Sequence, residues 1–438
     1  MKKFIAAALV AIALVLVILP LSMGFVAQGY LTQDGLKKFF PAQVRAQTAP
    51  FKIESKSYER GLFGAKAVTA ITYSQFGSTI EIFEVKTDLS FGWHLSSSFP
   101  YFNLVKAHTV VSLSQEALRQ DRYLANALKE GGKILEGDIY FTPGIGGASG
   151  ELALPEIDSN RARVRSGSLK LNVAGKDNVS LNFYLPLISY NYPGRDSLKI
   201  EEVRLTANGD LYDINGESQG ELTIKSFEFD ERLRVDDFKI VSYQKISGGV
   251  SNAYTEISAK EAKLLDAYTD VVPAIEKPVV SLALEKLERK ALADFSEKYQ
   301  AFLDSSASGR SDFEAMVSAA QSLFNLFDKG AVFTTKINFA IYDKSVDLFL
   351  KITTDPNVEV PNFSRLSQDA LLQKFVVDAT LSAHNDVLEL LEAPLEVFAQ
   401  FESEGYITNK DDVWNFVFRL EKGETTLGGK PLPLSSLF

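Results

Sequence analysis

The first signal along this chain is a two-residue rhythm. In "VSLNFYLPL" the apolar side chains of Val179, Leu181, Phe183, Leu185 and Leu187 fall at every second position, the period of a strand with one buried and one wet face. Strands wetted on one side pair antiparallel, and the rhythm recurs in most segments between residues 50 and 270. Three of them share a flaw: "LKIEEVRL" from Leu198, "LTIKSFEF" from Leu222 and "LRVDDFKI" from Leu233 each place two polar residues between two alternating apolar pairs. One surplus residue would turn the later side chains to the wrong face, so each strand is expected to bulge or bend sharply. Their uneven spacing marks a shared strand design rather than a repeat array.

Elsewhere the rhythm becomes helical. "SLSQEALRQDRYLANALKEGG" offers Ser114 as an N-cap and Gly131-Gly132 as a stop. Leu287, Ala291, Leu292, Phe295, Tyr299 and Phe302 share one helical face; "SSASGRSD" then turns the chain, with Ser311 and Glu314 spaced as a capping box. Phe313, Met316, Val317, Ala320, Leu323, Phe324 and Phe327 continue on a second helix. This reads as a helix pair packed on a sheet, not as a cofactor box. "NDVLELLEAPLEVFAQF" is helical in period and kinked or broken at Pro394. Around it stand two hairpins, "INFAIYDKSVDLFLKI", turning at Asp343 and Lys344, and "VWNFVFRLEKGETTLGG", with Trp414, Phe416, Phe418 and Leu420 on one face.

The expected fold is therefore α+β and strand-rich: a long, twisted, mainly antiparallel sheet with amphipathic helices packed on one side, behind an N-terminal transmembrane helix. That helix rests on "FIAAALVAIALVLVILPLSMGFVAQGY", which follows Lys2 and Lys3 and meets no charge before Asp34, long enough to span a bilayer. An uncleaved signal anchor is the expected reading and a cleaved signal peptide the alternative. Phe25-Val26-Ala27 and Ala27-Gln28-Gly29 make poor cleavage sites. The expected organisation is an anchor over 1–30, a linker over 31–50, a strand-rich domain over 51–275, a helical pair over 276–330 and an α+β part over 331–438 that continues the same sheet.

Composition narrows the chemistry. At 438 residues, 46% hydrophobic and 23% charged, the chain has the make-up of a folded protein. A net charge of −10 argues against a broad grip on nucleic acid. The absence of cysteine removes disulfides, thiolate metal sites and cysteine nucleophiles.

Tyr58-Glu59-Arg60-Gly61-Leu62-Phe63, which enters a strand after the linker, resembles the Tyr-x-Arg-Gly-x-Phe signature of the YdgA-like family of bacterial envelope proteins, whose function is unknown. The ending "TTLGGKPLPLSSLF" is similar to that family's close, so the resemblance runs the length of the chain. One departure stands out: where many members have His-Gly-Pro, this chain has Phe91-Gly92-Trp93, followed by His94. The resemblance implies a single-pass protein held in the bacterial inner membrane through residues 4–27, its C-terminal part in the periplasm; it implies no activity.

Read as residues, Gly61 suits a turn or bulge with positive φ, Phe63 begins an apolar face, and Tyr58 and Arg60 tie down neighbouring carbonyls or touch a ligand. Trp93 and His94 are the other candidate binding residues. His94, His108 and His384 lack metal-ligand spacing. Ser251 in "GGVSNAY" only approaches a nucleophile elbow, and "PGIGGASG" joins strand to strand instead of opening a helix. No catalytic, metal or cofactor site is assigned. The expected role is a non-enzymatic scaffold or assembly and maintenance factor of the envelope that binds a protein partner or its own kind. A carrier of lipid or another apolar ligand is the alternative, and a hydrolase with an unrecognised site the second one.

Overall fold

The structure, a computed structural model, describes residues 51–432 except 62, 76–77, 97–98, 121–127, 129–131, 142–146, 159–161, 175–177, 192–196, 211–216, 231, 265–272, 308–312, 356–357 and 359–371. The expected anchor and linker, the Gly131 stop, the Ser311 cap and the chain end lie outside the described residues. Among the described residues no helix is long and apolar enough to cross a membrane. The chain divides into two compact units, the first comprising Met1–Pro193, Glu202–Ile214 and Ala307–Arg310, the second Gly194–Glu201, Asn215–Ser306 and Ser311–Phe438.

The first unit contains β1 (Phe51–Arg60), β2 (Gly64–Gln75), β3 (Ser78–Ser96), β4 (Phe99–Leu113), α1 (Gln115–Gln120), β5 (Lys133–Phe141), β6 (Gly147–Leu154), β7 (Ile157–Asp158), β8 (Ala162–Val164), β9 (Gly167–Ala174) and β10 (Asn178–Asn191). Strands β1 to β6 pair each with the next, all antiparallel; β6 then pairs with β9 and β9 with β10. One face gathers Ala65, Leu89, Phe91, Val105 and Ala107 into a core, with Tyr58, Ile139 and Phe141 against it. The other carries a cross-strand row of charge, Asp88, His108, Asp138, Glu151 and Lys170. Helix α1 starts where the sequence places it, because the Ser114 hydroxyl accepts from the Ala117 N–H at 3.0 Å.

Strand β11 (Ser197–Asp210) contributes residues to both units. The second unit continues with β12 (Ser218–Phe229), β13 (Leu233–Ser247), β14 (Val250–Ser258), β15 (Glu261–Leu264), β16 (Ile275–Glu288), α2 (Arg289–Ala307) and α3 (Phe313–Asp328). It ends with β17 (Val332–Ile341), β18 (Lys344–Thr354), β19 (Phe375–His384), α4 (Asn385–Leu390), α5 (Leu395–Ser403), β20 (Thr408–Lys410), β21 (Val413–Glu421), β22 (Glu424–Leu427) and β23 (Lys430–Pro431). Its antiparallel order is β12, β13, β14, β16, β17, β18, β19, β21 and β22, with β15 prolonging β14 between β13 and β16.

The surplus residue behaves differently from a bulge. Ile224 pairs with Phe238 and Ser226 with Asp236, so the register is the same on both sides of the Lys225 and Asp237 positions. Continuing across the strands, Lys260 and Lys277 occupy the same row, and the backbone is left-handed at Asp237 (φ 50°) and Lys277 (φ 47°). A bulge slips the register only when one strand carries an extra residue and its neighbour does not. Here adjoining strands carry it together, and the result is a crease across the sheet. Where β16 meets β17, which has no surplus residue, the pairing does slip, between Glu276 and Val279.

Three expectations are corrected. The β17–β18 turn sits at Tyr342 and Asp343, both left-handed (φ 53° and 60°), and Lys344 already pairs with Ile341. Two consecutive left-handed residues are what a two-residue hairpin turn requires. Leu287 belongs to the end of β16, not to the helix. In α3 the expected face is split: Phe313, Met316 and Leu323 are exposed, Val317, Ala320 and Phe327 are half-buried, and Phe324 is buried together with Ala319, Ser322 and Leu326, which lie outside that face. Apolar residues surround most of this helix, so periodicity alone could not select the inward side. The break at Pro394 is present, with Pro394 as the residue preceding α5.

Candidate functional site

The residues of the Tyr-x-Arg-Gly signature close the β1–β2 hairpin. Tyr58 packs on the first unit's core, and burial pushes its phenol pKa up, opposed by the Arg60 charge. Arg60 is half-buried at the end of β1, paired with Ala65. Gly61 does not take a positive φ, and its N–H donates to the Gly64 carbonyl at 2.8 Å. The glycine the turn depends on is Gly64, where a Cβ would lie 2.6 Å from the Leu89 carbonyl oxygen. Phe63 is exposed instead of opening the apolar face, and its carbonyl accepts from the Phe91 N–H at 2.9 Å. The turn therefore rests against the stretch that departs from His-Gly-Pro. The Trp93 side chain lies outside the described residues, and His94 Nε2 reaches back 3.1 Å to the Ser90 carbonyl of its own strand. The arrangement is that of a braced hairpin.

The other histidines sit among charges. His108 places Nδ1 3.0 Å from Asp138 and Nε2 3.2 Å from Glu136, and Lys106 lies 2.9 Å from Asp138. Burial pushes the Asp138 carboxyl up, but bonds from Lys106 and His108 outweigh it and leave it below the ordinary range. His384 caps α4, its side chain accepting from the Asp386 N–H. Ser251 is fully buried on β14, two residues after the left-handed Gly248-Gly249 hairpin turn; it does not stand at a strand-to-helix elbow. Sequence reasoning missed Lys374, buried with its ammonium donating to the Asp355 and Val358 carbonyls at 2.8 Å each. Nothing in the local pattern distinguishes it from a surface lysine. Among the described residues no group of His, Asp and Glu could hold a metal ion.

One face of the second unit's sheet is distinguished by its apolar side chains. Register places Leu222, Ile240, Ile257, Val280, Ile337, Leu348, Leu381 and Phe416 in a single row across eight strands. Each is the inward residue of its strand's alternation; the row on one side carries Phe238 and Phe339, whereas the row on the other mixes Leu282, Leu350 and Phe418 with Gly220, Ser242, Thr255 and Thr335. The opposite face is polar: Tyr243 stacks on Tyr254 with ring centroids 5.1 Å apart, Tyr254 donates to Glu256, and Arg419 pairs with Asp378 and Glu421.

Helices cover the apolar face only in part. At the C-terminal end α4 and α5 lay Val387, Leu388, Phe398 and Phe401 over Val346, Ala383, Trp414 and Phe416. Phe398 meets Trp414 and Phe416 edge-on at centroid distances of 6.0 and 5.0 Å. Near the opposite end of the strands α2 and α3 bury Leu284 and Leu287, and Phe324 meets Phe375. Between them Ile257 is 37% and Leu282 40% exposed. Apolar side chains so exposed at the centre of a sheet face form a surface that gains by being covered.

The class that the fold defines is a strand-rich one, whose second unit is built on an amphipathic antiparallel sheet partly roofed by helices. Over residues 1–435 the chain matches the family described as "Bacterial protein of unknown function (DUF945)", and it belongs to that family. No curated protein and no solved structure matches it.

Proposed function

We propose that this is a non-enzymatic envelope protein of the YdgA-like kind, anchored in the inner membrane through residues 4–27, that holds an apolar ligand such as an acyl chain on the open sheet face of its periplasmic part. The observation that supports this is the middle of the apolar face, where Ile257 in the row and Leu282 beside it stay in contact with water while the row continues under α4 and α5. A chain laid along that row needs no hydrogen-bonding partner and gains by the apolar area it removes from water. A protein partner on the same face, the occupant expected first from sequence, is the rival reading.

The test is a fluorescence titration of the fragment from Gln47 onward with N-phenyl-1-naphthylamine, beside mass spectrometry of what co-purifies. Saturable binding that falls at least several-fold in Ile257→Ser with Leu282→Ser, at a temperature where both proteins remain folded, supports the reading. Each substitution removes a partly buried apolar side chain and should cost about 1–2 kcal/mol. An unresponsive probe together with a stoichiometric protein on the wild type replaces the ligand with a partner.

A further inference from the structure

The α4–α5 hairpin has a second surface. Its inward side is fully engaged: Val387 and Leu388 are buried, and Phe398 and Phe401 pack on the sheet. Its outward side shows Leu390, Leu391 and Val397 at 45, 57 and 44% exposure. None of these supports the core beneath, so the fold does not require them to be apolar. The turn that carries them is closed by backbone hydrogen bonds from Glu392 to Glu389 (3.0 Å) and from Ala393 to Leu388 (2.9 Å), which hold the exposed side chains on a fixed frame.

The hairpin's own exposed charges are of one sign, with Lys344 3.2 Å from His384 before α4 and Lys430 bonded to the Glu404 carbonyl after α5. Asp386, Glu389, Glu392 and Glu396 are all exposed, and no lysine or arginine occurs between Asn385 and Asn409. Elsewhere exposed carboxylates are commonly neutralised by a neighbour, as Glu81 and Glu84 are by Lys56 and Asp138 by Lys106. Among the described residues Glu389, Glu392 and Glu396 enter no ion pair.

We infer that the outward face of the α4–α5 hairpin docks a cationic, apolar segment of a partner protein, with Leu390, Leu391 and Val397 as the apolar contact and Glu389, Glu392 and Glu396 as the complementary rim. Apolar centres with charged rims of one sign select partners by complementary potential. An anionic membrane surface is disfavoured, because the same carboxylates would be repelled by it. A symmetric pair of these chains would set carboxylate against carboxylate, which disfavours a second copy.

The test uses the full-length chain in zwitterionic nanodiscs and, as probe, a short labelled amphipathic peptide of leucine and lysine, read by fluorescence anisotropy at several salt concentrations. Leu391→Ser with Val397→Ser, and separately Glu389→Lys with Glu392→Lys, should each weaken binding at least about tenfold, as central contacts of an interface do. The control Glu151→Lys with Asp158→Lys makes an equal charge change in the first unit and should leave affinity within about twofold. Melting temperature is followed for every variant, and Glu389→Gln with Glu392→Gln serves where a reversal unfolds the hairpin. An equal loss in the control, or no loss in the hairpin variants, overturns the inference. So does a concentration-dependent self-association that those variants abolish, or binding to anionic vesicles that they reduce. Unchanged naphthylamine binding in the hairpin variants separates failure here from failure of the open-face reading.

Discussion

Two places on one sheet face can be set side by side. Near the C-terminal end, the row neighbours Val346, Ala383 and Trp414 are 7, 0 and 5% exposed under α4 and α5; in the middle, Ile257 and Leu282 are 37 and 40% exposed with the same strand alternation around them. The strand alternation is the same in both, although Leu282 has Thr255 and Thr335 as cross-strand neighbours, and the larger difference is whether a distant stretch of chain supplies a roof. Alternation specifies which side of a strand can be dry. It does not specify that anything will make it so.

The comparison is sharpest at Trp414. Trp414→Ala should destabilise the second unit by about 3–5 kcal/mol, because it removes a large side chain from a packed site. Leu282→Ala should cost well under half of that, since much of its surface is already in water. Urea denaturation of both variants checks the difference, and equal costs would mean that the middle of the face is as closed as the end.

A smaller effect probes the turns that shape the closed end. Gly428 has φ 58°, and a Cβ there would lie 2.2 Å from the Tyr406 carbonyl oxygen; Gly429 has φ 79° with nothing within 4 Å. Gly428→Ala should cost about 2 kcal/mol or more through strain plus displacement of the Tyr406 backbone, and Gly429→Ala about 1 kcal/mol through strain alone. Similar melting temperatures for the two variants would show that the close approach to Tyr406 does not constrain the end of the sheet.

The smallest effect concerns the polar face behind the row. The hydrogen bond from Tyr254 to Glu256, helped by burial, pushes the phenol pKa up to about 12. Because the folded state holds this proton more tightly, the contribution to stability is complete below the ordinary phenol value near 10 and is lost as pH rises towards 12. Glu256→Gln should bring the phenolate transition back towards the ordinary range in an absorbance titration, with the apolar face unaffected. A Tyr254 transition that does not move would remove Glu256 as the cause.

Most strands were legible in the sequence because each alternates on its own, and so were the Ser114 cap and the break at Pro394. The turns divide instructively. Gly248-Gly249, Lys422-Gly423 and Gly428-Gly429 advertise left-handed backbone, whereas Tyr342-Asp343 and Asp411-Asp412 adopt it without glycine. Those two are held by the hairpins they close rather than by local preference. The open face was less legible still, because a row from Leu222 to Phe416 exists only once eight strands have taken their register. The Tyr-x-Arg-Gly stretch was visible as a motif, yet its dependence on Gly64 comes from the closeness of Leu89, twenty-five positions on (89 − 64).

The crease through Lys225, Asp237, Lys260 and Lys277 binds the histories of separate segments together. Deleting the surplus residue from β13 alone would put its far half one step out of register with both neighbours and turn every side chain beyond the crease to the opposite face. Inside the sheet, only loss of the residue from adjoining strands together would restore the pairing. The crease is thus a place where an evolving lineage can exchange side chains that tolerate a left-handed backbone at Asp237 and Lys277 but cannot shorten an inner strand by itself.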